Sequence, residues 1–236
     1  MRAAILTIGN ELVSGDVENS NASWLSRRLE SRGVKVVLVA SVPDELDRIE
    51  SFVRREAPQV DVLLVTGGLG STPDDITREA LAASFGVGQA VVPELAAEIR
   101  ARFDADDGYF LRWAELPEGA TPLRNPLGGA PGFRIANVWV LPGLPSEMQA
   151  MFDAAADTIA HGPAIGSWRR RLSGLTERQI NPLLEQADSR WPSVLVGSYP
   201  SFPGGEPQVE VVLKSSDPDA LAEAAAFLDT GLDALP

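Results

Sequence analysis

Residues 61–70, DVLLVTGGLG, decide the fold of this chain. The run 62–65 is apolar without interruption, which predicts a strand that is buried on both faces. Gly67, Gly68 and Gly70 follow immediately and indicate a tight turn, because glycine adopts backbone conformations that other residues avoid. A buried strand, a glycine turn and a following helix are typical of a parallel sheet with helices on both faces. We therefore predict an α/β fold.

The same alternation extends outward from this segment in both directions. Apolar, β-branched runs predict strands, and apolar residues at helical spacing predict amphipathic helices between them. The predicted strands are 3–8, 34–40, 61–65, 132–135 and 138–141, and the predicted helices are 21–32, 44–56, 74–85, 93–103, 109–115 and 145–160. Together they predict an α/β domain with a mostly parallel sheet over residues 1–162.

The rest of the chain has a different organisation. Residues 161–166 are typical of a loop, and strands and helices alternate beyond them. The predicted elements are strands at 168–172, 194–199 and 208–214 and helices at 176–187 and 218–228. These elements predict a small α+β domain over residues 163–236.

The composition excludes several classes of function. A net charge of −13 argues against a nucleic-acid surface, which needs clustered Lys and Arg. The chain has no cysteine and one histidine, so a metal site must use oxygen ligands or His161. No apolar run approaches the roughly 20 residues of a membrane span, and the first residues predict a strand rather than a signal peptide. We expect a cytoplasmic protein that binds neither nucleic acid nor membranes.

The glycines of the central segment suggest a ligand. In an open parallel sheet, ligands bind beyond the carboxyl ends of the strands, where this loop lies. The backbone N–H groups of Gly67, Gly68 and Gly70 would bind a phosphate together with the positive end of the next helix. The alternative is a tight turn without a ligand, and the motif alone leaves both open.

Two carboxylates, Asp74 and Asp75, follow the glycines and would repel a phosphate. Thr72, Pro73 and Asp75 fit a capping box at the start of the next helix, which explains Asp75 without a ligand. Asp74 has no such role. Because a divalent cation, Mg²⁺ or Mn²⁺, between carboxylate and phosphate removes the repulsion, we predict a metal-bridged phosphate or pyrophosphate.

A second loop follows the first predicted strand and leads to the same crevice. It supplies Glu11 and Asp16 as candidate metal ligands or general bases, and Asn19 and Asn21 as hydrogen-bonding groups. The alternative is that Ser20 or Asn21 caps the next helix while the acids lie in solvent.

Two further loops, 125–132 and 141–148, are candidates for lining this pocket, although their Pro and Gly residues also suit simple turns. His161 is expected at a helix end, and the acidic run 104–107 in a solvated loop. Neither is assigned to chemistry.

Several of these loops carry short motifs that occur in a fixed order. The motifs are Ile8-Gly9-Asn10-Glu11-Leu12, Gly15 and Asn19-Ser20-Asn21; Thr66-Gly67-Gly68-Leu69-Gly70 with Thr72, Asp74, Asp75 and Thr77; Leu116-Pro117-Glu118-Gly119-Ala120; Asn125-Pro126, Gly128 and Ala130-Pro131-Gly132-Phe133; Leu141-Pro142-Gly143 with Pro145, Glu147 and Met148; and Gly197-Ser198-Tyr199-Pro200. Together they cover most of the chain, which resembles the N-terminal, molybdopterin-binding-like domain of the CinA family.

The resemblance implies a MoaB/Mog-like α/β domain followed by a small α+β domain. It also implies divalent-metal-dependent pyrophosphatase activity on ADP-ribose or a related dinucleotide such as FAD, with Mg²⁺, Mn²⁺ or Co²⁺ as the cation. Related folds bind molybdopterin, so a non-hydrolytic molybdopterin-binding protein is the alternative. Domains of this kind often assemble, so a homo-oligomer is also implied.

The resemblance completes the set of candidate site residues. The catalytic candidates are Asp74 and Asp75, which would also hold the metal, and Glu11 and Asp16, one of which would orient or deprotonate the attacking water. The substrate- or phosphate-binding candidates are Gly67, Gly68, Gly70, Thr72, Thr77, Asn19, Asn21, Asn125 and Gly143. Ser71 stands where the family usually has Pro, and Gly129 where it usually has Thr, which is expected to loosen both loops. The family's C-terminal nicotinamide mononucleotide deamidase domain has no room after Pro236, so we expect no deamidase activity.

Overall fold

A computed structural model describes residues 1–103, 108–159 and 162–235 of the chain. The chain divides into two compact units, Met1–Gly162 and Pro163–Pro236. Each unit has hydrophobic core clusters of its own. The two units are therefore described separately.

The larger unit is built on a six-stranded sheet. The strands of the unit are β1 (Arg2–Ile8), β2 (Lys35–Val42), β3 (Val62–Thr66), β4 (Gln89–Val91), β5 (Glu115–Pro117), β6 (Thr121–Leu123), β7 (Gly132–Ile135) and β8 (Val138–Leu141). Of these, β4 and β5 form a separate two-stranded sheet. The order in the sheet is β2-β1-β3-β8-β7-β6, in which the first four strands are parallel and the last two are antiparallel. Thr7 pairs with Thr66, and Thr66 with Leu141, so the parallel strands end level with each other. We call the side where β1, β2, β3 and β8 end the strand-end edge.

Helices cover both faces of this sheet. They are α1 (Asn10–Ser14), α2 (Ser20–Ser31), α3 (Leu46–Glu56), α4 (Thr77–Phe85), α5 (Pro93–Phe103), α6 (Gly108–Leu111) and α7 (Pro145–Ile159), with 3-10 turns at Ala57–Gln59 and Arg112–Ala114. Ile5 of β1 belongs to a buried core with α2 and α7, and the next residue, Leu6, belongs to a second core with α3, α4 and α5. Successive strand residues point to opposite faces, which explains the uninterrupted apolar runs.

The smaller unit is a three-stranded antiparallel sheet packed against two helices. Its elements are β9 (Gly166–Ser173), α8 (Glu177–Arg190), β10 (Leu195–Ser201), a 3-10 turn at Pro203–Gly205, β11 (Gln208–Ser215) and α9 (Pro218–Asp233). Ile180 of α8 and Leu228 of α9 are fully buried together with Val211 and Leu213 of the central strand. The predicted fold class, a mostly parallel α/β sheet followed by a small α+β unit, is confirmed.

Two predicted helix assignments are wrong. The helix predicted over 109–115 is replaced by α6 and a 3-10 turn, and Glu115 begins β5, which pairs with β4. The helix predicted from Asp74 begins only at Thr77. Strands β4, β5 and β6 and helix α1 were not predicted, because elements of three to five residues show too little periodicity.

The predicted capping box at Thr72 is also wrong as a helix start. The Asp75 carboxylate accepts from the Thr72 amide at 2.9 Å, and the Asp75 amide donates to the Thr72 carbonyl at 3.0 Å. Only the first is a bond of a capping box; the second goes to the backbone carbonyl of Thr72 rather than to its hydroxyl, so the pair closes a turn that precedes α4. A cap and a closed turn share the same residue pattern, so the sequence did not separate them.

Several expectations concern residues that are not described. The acidic run 104–107 and His161 lie outside the described residues, as does Ala160 at the end of the predicted helix 145–160. Within the described ranges, no helix is both long enough and apolar enough to cross a membrane.

The core on the α3–α4 side of the sheet generates a stability prediction. Leu81 of α4 is fully buried in that core. Leu81→Ala should lower the free energy of unfolding by about 2–5 kcal/mol, because it removes buried methyl groups and leaves a cavity. Urea unfolding of the whole chain measures the change. The matched control is Leu127→Ala, whose side chain is 55% exposed and should cost less than about 0.5 kcal/mol. Equal losses for the two variants would contradict the assigned core.

Candidate functional site

The loops that leave the strand-end edge surround a crevice. One cavity of about 330 Å³ lies between the glycine loop 67–70, the loop at Pro142–Leu144, and the side chains of Trp113 and Glu147. A smaller cavity of about 90 Å³ lies beside it at the end of β1, and both are lined by Gly143. The crevice therefore occupies the position at which ligands bind in open parallel sheets.

The glycine loop needs its glycines for backbone geometry. Gly67 has φ of 110°, and a Cβ on it would lie 2.2 Å from the carbonyl oxygen of Ile8. Gly68 has φ of 66°, and a Cβ there would lie 2.2 Å from the Thr77 hydroxyl oxygen. That hydroxyl donates to the Gly67 carbonyl at 2.8 Å, which ties the loop to the start of α4. The tight-turn interpretation therefore accounts for Gly67, Gly68 and Thr77 without a ligand.

Two arginines hold the carbonyl groups of this loop. Arg78, fully buried, donates to the carbonyl oxygens of Leu69 at 2.8 Å and Gly70 at 2.5 Å. Arg112 donates to the carbonyl oxygens of Thr72 and Asp75, each at 3.0 Å, and to Glu79 at 2.8 Å. Burial lowers the pKa of Arg78, and the nearby Glu79 carboxylate opposes that shift. The guanidinium groups of Arg78 and Arg112 thus bind the backbone of the loop.

Asp75 occupies one of the three amides that were predicted to bind phosphate, that of Gly70, together with the amide of Thr72. Its carboxylate accepts from the amides of Gly70 at 2.8 Å and Thr72 at 2.9 Å, and from the Thr72 hydroxyl at 2.5 Å. The Gly67 amide donates to the carbonyl oxygen of Leu141 at 3.1 Å. Among the described residues, the amides of Gly68 and Leu69 have no protein acceptor. The part of the loop that remains able to bind an anion is therefore Gly68-Leu69.

Asp74 is placed differently from its neighbour. Its carboxylate is exposed, and hydrogen bonds from the Thr72 side chain and from its own backbone amide lower its pKa. Asp74 is therefore ionised at neutral pH, faces solvent and lines neither cavity of the crevice. Adjacent residues thus have separate roles, as the sequence indicated for Asp74 and Asp75.

Sequence reasoning missed a third acid, Asp44. It follows β2 at the strand-end edge, and its carboxylate accepts from the Asn10 amide at 2.8 Å. Burial raises the pKa of Asp44, the Asn10 amide opposes this, and the charges of Glu11, Asp74 and Asp75 raise it further. Asp44 was assigned to the start of a helix, although its position after a predicted strand was a signal for the site.

The acids at the strand-end edge do not form a metal cage. Within the described residues, no group of three or more His, Cys, Asp or Glu side chains is arranged to hold a metal ion. Glu11 lies on α1 and lines the smaller cavity, whereas Asp16 is exposed, accepts from the Ser14 hydroxyl at 2.6 Å and lines neither cavity of the crevice. The structure thus brings Glu11 to the crevice and leaves Asp16 outside it.

The candidate asparagines have three different environments. Asn19 caps α2, where its side-chain oxygen accepts from Ala22 at 3.1 Å and its amide group donates to Thr7 at 2.8 Å. The cap is therefore Asn19, and the predicted alternatives, Ser20 and Asn21, are wrong. Asn21 donates to the Gly143 carbonyl at 2.7 Å, and its side-chain oxygen is buried with no partner among the described residues.

Asn125 stabilises the loop that lies across the crevice. Its amide group donates to the Ala130 carbonyl at 3.1 Å and to Glu147 at 2.9 Å, and its oxygen accepts from the Leu127 amide at 3.0 Å. A Cβ on Gly129 would lie 2.1 Å from the Glu147 carboxylate, so glycine leaves room for this pairing. The Glu147 carboxylate thus occupies the space that a side chain at position 129 would need.

Comparison with known families places both parts of the chain. Residues 4–161 match the family described as "Probable molybdopterin binding domain". Residues 172–235 match the family described as "FAD synthase, middle domain". The two matches fall in the two structural units.

Relatives with similar sequences have a wide range of lengths. A protein of Aeropyrum pernix is 38% identical over 245 residues, which covers 97% of this chain and 91% of the relative. CinA-like proteins of Frankia casuarinae and Parasynechococcus marenigrum are 43% and 40% identical, covering 66% and 77% of this chain. These matches cover only 39% and 48% of the two CinA-like proteins. The chain thus spans half of their length or less.

A solved structure resembles the larger part of the chain. It is the CinA protein of Thermoplasma acidophilum, described as being of unknown function. It is 32% identical, with a TM-score of 0.64 over 67% of this chain and 98% of that one.

The different roles of the adjacent aspartates predict different effects on stability. Asp75→Asn should lower the free energy of unfolding by about 1–3 kcal/mol, because hydrogen bonds to a buried or part-buried charge are lost. Asp74→Asn is the matched control and should leave the urea midpoint essentially unchanged, because its carboxylate is exposed. Both variants are compared with the wild-type chain by urea unfolding at pH 7. A stable Asp75→Asn variant would contradict the proposed role of Asp75 in the loop.

The raised pKa of Asp44 predicts an unusual dependence of stability on pH. Because its pKa is raised in the fold, ionised Asp44 costs stability, and this cost is lost as the pH falls through that pKa. Asp44→Asn should therefore be more stable than wild type near pH 7, and the difference should vanish below about pH 3.9, the ordinary pKa of aspartate. Urea unfolding at a series of pH values measures it. A less stable variant at pH 7 would show that the bond from Asn10 outweighs the repulsion.

Proposed function

This chain belongs to the CinA-like branch of the probable molybdopterin binding domain family, and from that premise we propose that it is a divalent-metal-dependent pyrophosphatase. Its substrate is ADP-ribose or a related dinucleotide such as FAD. The crevice at the strand-end edge binds the diphosphate, and water attacks one phosphorus atom.

One observation carries this proposal. Amides able to bind an anion, at Gly68 and Leu69, lie on the same edge of the sheet as the carboxylates of Glu11, Asp44 and Asp74. Amides alone suit any phosphate, and carboxylates alone suit any cation. Their combination suits a diphosphate that binds with its own cation.

The residues fit a cation that is shared with the substrate. Burial is the main cause of the raised pKa of Asp44, and the charges of Glu11, Asp74 and Asp75 add to it, so these carboxylates lie close enough to repel one another. Since the described acids form no complete cage, the phosphate oxygens would supply the remaining ligands. Asp74 and Asp44 would hold the cation, and Asp75 would assist through its charge while it stays bonded to the loop. A bound divalent cation neutralises the diphosphate and makes its phosphorus more electrophilic.

The chain's own groups would complete the reaction. Gly68 and Leu69 would orient the diphosphate through their amides. Glu11, at the smaller cavity, would orient the attacking water and accept its proton. Asp16 is a poorer candidate for this role, because it lies outside both cavities.

A molybdopterin-binding role without hydrolysis is the second candidate. The family description favours it, as do Trp113, Pro142 and Leu144, which line the crevice with apolar surface suited to a flat ring. Tight molybdopterin binding without cleavage of any dinucleotide would support this role. In either case the ligand is a small molecule, and a homo-oligomer stays a prediction.

The pyrophosphatase proposal predicts AMP release from ADP-ribose or FAD with Mg²⁺, Mn²⁺ or Co²⁺, measured by chromatography. Asp74→Asn should lower kcat/KM at least about 100-fold, because the cation loses its ligand, a loss on the scale of several kcal/mol of transition-state stabilisation. Glu11→Gln should lower kcat by about 10²–10⁴-fold, the usual contribution of a general base.

The control variant is Asp16→Asn, which should retain wild-type activity because Asp16 bonds to Ser14 and, unlike Glu11, Asp74 and Asp75, is not among the charges that act on Asp44. Absence of AMP release by the wild-type chain with every metal and substrate would overturn the proposal. Full activity of Asp74→Asn would overturn the assignment of its role.

A further inference from the structure

A third cavity adjoins the crevice on the side away from β1. Its volume is about 130 Å³, and it shares Trp113 and Gly129 with the main cavity. The remaining walls include Phe103, Arg102 and Gly128. A ligand seated on the glycine loop would therefore have this cavity as its next neighbour.

Aromatic rings form one wall of the cavity. Phe103 stacks on Phe110 with ring centroids 4.2 Å apart, and Trp113 meets both rings edge-on at 5.6 Å and 5.2 Å. Such contacts are favourable arrangements of aromatic rings. Phe103 and Trp113 thus give the cavity an apolar surface.

Trp113 carries a hydrogen-bond donor that the protein does not use. Its Nε1 atom is buried and has no acceptor among the described residues. Buried indole N–H groups usually have a partner, and an unpaired one costs about 1–3 kcal/mol. The partner that this position lacks is an acceptor such as a ring nitrogen or a carbonyl oxygen.

Arg102 is the uncommitted charge at the rim. Its guanidinium lies 5.2 Å from the centroid of Phe103 and close to Gly128, where a Cβ would lie 1.6 Å from it. Within the described residues it makes no hydrogen bond or ion pair, whereas Arg124 at the same rim is paired with Glu98. A planar guanidinium that is free on one face can stack on a further ring.

We propose that this cavity is the nucleobase subsite of the crevice. It takes the heteroaromatic ring of a nucleotide whose diphosphate lies on the glycine loop, so the inference rests on the function proposed above. The indole of Trp113 turns to bring its buried Nε1 to an acceptor on the ring, and Arg102 stacks over that ring. The cavity volume of about 130 Å³ equals that of a few water molecules, each of which takes roughly 30 Å³ of the liquid. It therefore has room for one ring system. A whole nucleotide needs the main cavity as well.

The subsite explains a preference for nucleotides over simpler diphosphates. A diphosphate without a base would contact only the loop and the cation. A base would add the indole hydrogen bond and the stacking contacts, and would leave the diphosphate where it was. Loss of the subsite should therefore weaken binding of nucleotides alone.

The experiment compares ADP-ribose with inorganic pyrophosphate as ligands of the full chain. The Kd of each ligand is measured by calorimetry with Mn²⁺, and KM is measured as well for a ligand that is turned over. Trp113→Phe keeps the ring and removes the donor, and Arg102→Gln removes the guanidinium. Each should raise KM or Kd for ADP-ribose about 3–10-fold, the range of one hydrogen bond or stacking contact, and leave pyrophosphate unchanged. Arg100→Gln is the matched control, because Arg100 is exposed and does not line the cavity.

The outcomes separate this inference from the proposed function. Turnover of ADP-ribose with unchanged constants in both variants overturns the subsite alone. Binding of ADP-ribose that weakens in both variants, in a chain without turnover, supports the subsite and overturns hydrolysis. Equal weakening for ADP-ribose and pyrophosphate shows a general distortion and overturns the subsite. Failure of the wild-type chain to bind either ligand overturns both.

Discussion

The crevice depends on a carboxylate that the chain places inside its own glycine loop. Asp75 accepts from the amides of Gly70 and Thr72, while Arg78 donates to the carbonyls of Leu69 and Gly70. The carboxylate of Asp75 thus stabilises amides of the loop, and the guanidinium of Arg78 stabilises its carbonyl groups. A loop rich in glycine is flexible by nature, and these charge-assisted bonds hold it in one conformation. The glycines allow this backbone conformation, and the hydrogen bonds of Asp75 and Arg78 stabilise it.

This internal pairing changes the meaning of the motif. Glycines before two aspartates suggested a site where an anion and acids must share a cation. In the structure, Asp75 is itself an anion on the loop, and the place left for a ligand is narrowed to the amides of Gly68 and Leu69. The acid that remains exposed is Asp74, and its charge, like that of Glu11, raises the pKa of Asp44. These like charges thus lie along the strand-end edge, on segments that follow β1, β2 and β3, rather than within one loop.

The parallel sheet could be predicted because its residues carry a strong local signal. Runs such as Leu63-Leu64-Val65 are apolar on both faces, and helices such as α3 place Ile49, Phe52 and Val53 on one side. Which strand ends meet was also predictable, since parallel strands share an edge. The signal failed where one residue pattern serves two structures. Thr72 and Asp75 suit both a helix cap and a turn, and the structure has the turn. Asp44 lies in the short connection between β2 and α3, where the end of a strand and the start of a helix are both expected.

Tertiary partners could not be predicted from any local pattern. Nothing near Arg78 in the sequence indicates that its guanidinium reaches back under the glycine loop, or that Arg112, 34 positions further on, grips the carbonyls of Thr72 and Asp75. The same is true of the aromatic wall, where Trp113 has a buried donor without an acceptor among the described residues. These partners decide the chemistry of the crevice, because they determine which charges are already used. The guanidinium groups of Arg78 and Arg112 are thus used by the backbone of the loop, and neither lines the main cavity.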